Sequence, residues 1–84
     1  MPIRQLLNRI RWDAEYGRAD FGIGYYDRMV DRIVVVPIRQ VHFCPGDHFA
    51  IEVSDEGGAS RMVPLHRIRE VYRNGALVWA RHRV

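Results

Sequence analysis

Ile68-Arg69-Glu70-Val71-Tyr72-Arg73-Asn74-Gly75-Ala76-Leu77-Val78-Trp79-Ala80-Arg81 is the stretch on which the fold turns. Asn-Gly is the preferred pair for a two-residue turn in which both residues take positive φ, so the flanking segments read as the arms of a β-hairpin. Such a turn sets Tyr72 opposite Leu77, Val71 opposite Val78 and Glu70 opposite Trp79. Ile68, Tyr72, Leu77 and Trp79 then share one face, with Glu70 and Arg81 at its rim, where the two can pair.

Upstream, Pro64 interrupts a strand and opens a short local structure at Leu65-His66-Arg67. Residues 48–54 alternate, with Phe49, Ile51 and Val53 inward, and Asp55-Glu56-Gly57-Gly58 turns them back into Arg61-Met62-Val63. Cys44-Pro45-Gly46-Asp47 reads as a turn. Pro37 to Phe43 is either a helical turn or a short strand. Arg32 to Val36 is a β-branched strand. Phe21-Gly22-Ile23-Gly24-Tyr25 alternates, with its two glycines marking a close backbone approach, a bend or a bulge. Residues 2–12 form a helix with Ile3, Leu6, Leu7 and Ile10 on one face, and Trp12 is read as core. There is no internal repeat or low-complexity tract. The expected fold is α+β: an N-terminal helix packed on a small, strongly curved antiparallel sheet or partly closed barrel, in a single domain spanning residues 1–84.

The 13 basic residues are all arginine. Residues 57–84 hold six of them against one acid, and residues 1–56 hold seven against nine, which gives +5 and −2 and sums to the net charge of +3. Arginine grips phosphate in a two-pronged fork and stacks on flat faces, so a basic C-terminal part points to a polyanion or a phosphate. A G/C-rich genome would also favour arginine codons. One cysteine, Cys44, excludes an internal disulfide and a cysteine-based zinc site. No basic leader precedes a long apolar run, and the longest apolar run, Ile33 to Ile38, is too short to span a bilayer. These features imply a cytoplasmic chain with no membrane association.

His66-Arg67, at the break between two strands, is the first candidate site: histidine can donate to a phosphate oxygen or pass a proton near neutral pH, and arginine can grip the same group. Arg11 and Asp13 at the end of the helix, and Arg28 after Tyr26-Asp27, repeat an arginine-beside-aspartate pattern that fits ligand binding or ordinary surface pairing. Tyr26, Tyr72 and Trp79 are candidates to stack a base. His42, His48, His66 and His82 match no zinc spacing, and no cofactor is implied.

Val63-Pro64-Leu65-His66-Arg67-Ile68, then Gly75, Val78-Trp79 and Arg81, resembles the closing motif of the family catalogued as domain of unknown function 504. Leu7-Asn8-Arg9-Ile10-Arg11-Trp12-Asp13 and Tyr26-Asp27-Arg28 resemble its other two blocks, in the same order. The resemblance implies recognition of RNA ends that bear cyclic or processed phosphates, with Arg11, Asp13, Arg28, His66, Arg67 and Arg81 as the polar site. Ala80 stands where that family often carries an aspartate. Three functional readings follow. The first is a module that binds an RNA end or nucleotide phosphate and does no chemistry, with RNA or an RNA-processing protein as partner. The second is a small phosphoesterase acting on a cyclic phosphate, with His66 as acid or base. The third is a structural or protein-interaction module.

Overall fold

The computed structural model describes residues 1–44, 46 and 49–81. The helix α1 (Ile3–Trp12) follows Pro2, whose extended backbone starts the first turn. It buries Ile3, Leu6, Leu7 and Ile10, one stripe at helical spacing. Seven strands follow: β1 (Phe21–Asp27), β2 (Arg32–Pro37), β3 (Val41–Phe43), β4 (Ala50–Ser54), β5 (Ser60–Pro64), β6 (Ile68–Arg73) and β7 (Ala76–Ala80). They form two antiparallel sheets, in the orders β2-β1-β6-β7 and β3-β4-β5. The helical stripe packs with Phe21, Ile23, Tyr25, Ile68 and Val71 of the first sheet and Val41, Ile51, Val53 and Val63 of the second.

The expectation of one strongly curved sheet or a partly closed barrel is therefore corrected: α1 covers two separate sheets, and neither closes or curls strongly. Two proline corners account for the split. At Val36-Pro37-Ile38-Arg39-Gln40-Val41 the chain leaves β2 through a 3-10 turn over Ile38–Gln40 and enters β3 in the other sheet. At Val63-Pro64-Leu65-His66-Arg67-Ile68 it makes the reverse passage, from β5 through a 3-10 turn over Leu65–Arg67 into β6. Pro37 (φ −68°, ψ 151°) and Pro64 (φ −61°, ψ 144°) have nearly the same backbone. Proline fixes φ and offers no N–H to a ladder, so each strand ends there and its successor is free to start elsewhere. In each corner the N–H after the turn donates back into it, Val41 to the Ile38 carbonyl and Ile68 to the Leu65 carbonyl. The segment from Pro37 to Phe43 is thus both of its alternatives in succession, a helical turn and then a short strand.

The Asn74-Gly75 turn is as expected, with φ of 50° and 83°. The hairpin register is not. Tyr72 faces Leu77, but Val71 faces Trp79 and Glu70 faces Ala80, so Val78 is an extra residue on β7. Against β1, Gly24 pairs with Glu70 and Tyr25 with Ile68, so Arg69 is an extra residue on β6. This bulge shifts the phase of β6. Ile68 and Val71, three residues apart, both reach the core, and Tyr72 turns to the outer face with Glu70. On that face Gly24 sits under its neighbours: a Cβ there would meet Ile33 Cγ2 at 3.1 Å and the Glu70 Cβ at 3.3 Å.

Two aromatic expectations fail. Trp12 is 72% exposed, because the buried stripe of α1 ends at Ile10. Phe49 is 73% exposed, because it precedes β4 and is not part of its alternation. Parts of the turn expected over residues 44–47, and the expected strand start at His48, lie outside the described residues.

Candidate phosphate cleft and its surroundings

Asp27 ends β1, and its side chain is only 10% exposed. One of its oxygens accepts the Met29 N–H at 2.9 Å, which fixes the turn that follows. The other accepts Arg61 Nη1 at 3.0 Å, an ion pair that crosses from the first sheet to the second. Around this pair lies a cleft of about 260 Å³ whose walls include Tyr26, Arg28, Arg61, Met62 and Arg67. Three arginines against one aspartate leave these walls at +2. They come from three places in the chain: the end of β1, the start of β5, and the second proline corner.

The second corner is braced from behind. The His66 carbonyl accepts Arg81 Nη1 at 3.1 Å and also a short bond from Arg69 Nη1. The Arg81 N–H donates to the Arg69 carbonyl at 2.8 Å, so β7 continues to hold β6 at this point. Two charged donors on one carbonyl fix the turn more firmly than the single backbone bond that closes it. Within the turn Arg67 lines the cleft, while His66 before it is exposed and is not one of the cleft's walls. Arg69 also approaches Tyr26, its guanidinium carbon 6.0 Å from the ring centroid. The Tyr26 hydroxyl donates to Asp31.

The expected site residues fall into three groups. Arg28 and Arg67 line the same cleft. His66 and Arg81 meet through the His66 carbonyl. Arg11 and Asp13 lie elsewhere. The Arg11 guanidinium lies 4.6 Å from the Trp12 ring and 5.1 Å from the Phe43 ring, and it lines a narrow groove with Arg4, Asn8 and Leu65. Asp13 accepts the N–H groups of Glu15 and Tyr16, both at 3.1 Å, and lies 3.9 Å from Arg9, so its contacts hold the turn after α1.

Of the stacking candidates, Tyr26 borders the cleft. Tyr72 lies on the outer sheet face, where its hydroxyl donates to Glu70 at 3.0 Å. That bond, then burial, then the charge of Glu70 raise the Tyr72 pKa above its ordinary value. Trp79 borders a separate hollow beside α1. Sequence reading missed Arg61 and Arg69. Arg61 belongs to no local motif, and only the pairing of β5 with β4 brings it toward Asp27. Arg69 gave no signal either, because its place as the extra residue of β6 is set by pairing with β1.

Among the described residues no group of three or more histidine, cysteine, aspartate or glutamate side chains could hold a metal ion, and no helix is long and apolar enough to cross a membrane. A family model described as the MJ1316 RNA cyclic group end recognition domain matches residues 1–81. The match carries the end-recognition role implied by the resemblance, under this family and not specifically under domain of unknown function 504. No solved structure matches the chain.

Proposed function

Since the chain belongs to the family of MJ1316 RNA cyclic group end recognition domains, we propose that it binds RNA ends carrying a terminal or 2′,3′-cyclic phosphate, with the phosphate in the cleft walled by Arg28, Arg61 and Arg67. The observation that carries this reading is the meeting of three guanidinium-bearing residues from distant segments at one opening. A guanidinium offers paired N–H donors that match two phosphate oxygens, and Arg61 is already held by Asp27 at 3.0 Å. A donor fixed before the ligand arrives loses less freedom on binding.

The other expected residues take supporting parts. His66, exposed and adjacent to Arg67 in the chain, is proposed as a further donor to the same RNA end. Arg81 and Arg69 hold the His66 carbonyl and thereby the turn that presents Arg67. Arg11 is a flanking cation toward which the RNA strand can run, and Asp13 keeps the end of α1 in place. The chain acts as a recognition module, and an RNA-processing protein is the fitting partner for such a role.

Short RNAs that differ only in a 3′-hydroxyl, 3′-phosphate or 2′,3′-cyclic phosphate end test this directly. The cyclic or phosphorylated ends are expected to bind more tightly, and Arg67→Ala is expected to abolish that preference. A hydrogen bond to a charged group is worth about 1.5–3 kcal/mol, so the loss is about tenfold or more. The salt dependence should report only a few neutralised phosphates. Equal affinity for all three ends, unchanged in Arg67→Ala, would overturn the proposal.

A further inference from the structure

Between α1 and β7, and reached by Leu65 of the second corner, lies a hollow of about 680 Å³. That volume is in the range of small-molecule sites. Its walls include Arg4, Gln5, Asn8, Leu65, Trp79 and Arg81. We infer that this hollow is a nucleobase site, which takes the base of the nucleotide whose phosphate occupies the cleft or of its neighbour. The inference rests on the end-recognition reading and extends it from the phosphate to the base.

Three observations support it. The first is the flat surface. The Trp79 indole is locked in orientation, because its Nε1–H donates to the Met1 carbonyl at 2.7 Å and the ring packs against the core. Arg81, whose guanidinium carbon lies 5.5 Å from that ring, is itself held by the His66 carbonyl. With the indole backed by the core and covered by that guanidinium, the plane offered to an unpaired RNA base is that of Arg81, a surface on which bases stack. Neither the indole nor the guanidinium has to be ordered by the ligand.

The second observation is the edge. Gln5 and Asn8 are three apart on α1, so they project from the same side of the helix. Both are exposed, and neither side chain has a hydrogen-bond partner among the described residues. A carboxamide presents one acceptor and two donors, the complement of a base edge. The core uses neither residue.

The third is position. Leu65 lines the hollow and Arg67 lines the cleft, with only His66 between them. Arg4 and Arg81 also keep the hollow cationic, which suits the chain of phosphates that a base brings with it.

Trp79 itself reports the test. The chain has two tryptophans, and Trp12→Phe removes the other one, which is exposed and outside the hollow. In that background, adenosine is expected to quench the remaining fluorescence saturably. Adenosine 2′,3′-cyclic phosphate should do so at lower concentration, and inorganic phosphate should leave it unchanged. Asn8→Ala should weaken both adenosine compounds by about fivefold, the effect of losing one edge hydrogen bond. Asn8 is exposed, so this variant keeps the fold. If neither adenosine compound changes the Trp79 signal, the base site is wrong whether or not phosphate binds the cleft. If both quench equally, and Arg67→Ala alters neither, the base site stands and the phosphate cleft falls. Quenching that is indifferent to Asn8→Ala would also count against the base site as drawn.

Discussion

Val36-Pro37-Ile38-Arg39-Gln40-Val41 and Val63-Pro64-Leu65-His66-Arg67-Ile68 turn the chain in the same way: a strand, a proline, a 3-10 turn with one apolar anchor, and a buried residue that opens a strand in the opposite sheet. Their middle residues differ. In the first corner the Gln40 carbonyl takes a hydroxyl bond from Ser54 at 3.4 Å, and Arg39 is exposed. In the second the His66 carbonyl takes two guanidinium donors, and its neighbours Leu65 and Arg67 line the hollow and the cleft. The proline and the apolar residues suffice to make the corner. The two residues between them can vary, and in the second corner one of them, Arg67, lines the cleft proposed for the phosphate.

The largest contrast is expected in the residue that follows each turn. Ile68 is fully buried at the seam of helix and sheet, and Val41 is slightly less so and smaller. Ile68→Ala is expected to cost about 2–5 kcal/mol of stability and Val41→Ala less. Urea unfolding measures both, and equal losses would mean that the second corner is no more central to the core than the first. Next comes a pair of arginines, one from each corner. Arg67→Ala should lower affinity for a cyclic-phosphate end by about tenfold or more, and Arg39→Ala should leave it within about twofold. Equal losses in a binding titration would reduce both arginines to general charge and remove the distinction between the corners.

The smallest expected effect lies on the strands that leave the corners. β3 carries His42, bonded to Ser54 at 3.2 Å, and β6 carries Tyr72, bonded to Glu70. The Glu70 hydrogen bond, burial and the Glu70 charge raise the Tyr72 pKa above its ordinary 10.0. An unfolded tyrosine ionises first as pH rises, so this contribution is complete below pH 10.0 and is lost as pH climbs through the folded value. Unfolding curves of the native chain and Tyr72→Phe should therefore converge at high pH. A difference that stays constant would sever the bond from stability.

What could be read from the sequence is what local chemistry fixes. The apolar stripe of α1, the Asn74-Gly75 turn and the alternation of Phe21, Ile23 and Tyr25 each follow from spacing or from a backbone requirement. The phase of β6 does not. A period of two assumes no extra residue, and Arg69 and Val78 are both extra, which moved Trp79 opposite Val71 and turned Tyr72 outward. The split into two sheets was hidden for a related reason: Pro37 and Pro64 mark interruptions, but not which sheet the next strand joins. Arg28 and Arg67 could be singled out because they sit in short motifs. Arg61 could not, because its approach to Asp27 depends on how β5 pairs and not on its neighbours in the chain.

β1 lies between β2, which follows it at once, and β6, which joins it through pairs as remote as Phe21 with Arg73. During synthesis one side of β1 can be satisfied early, while its other side keeps open N–H and C=O groups until the last strands emerge. Exposed edges of that kind recruit other chains. A chain cut before Ile68 would leave that side of β1 unpaired and is therefore expected to self-associate.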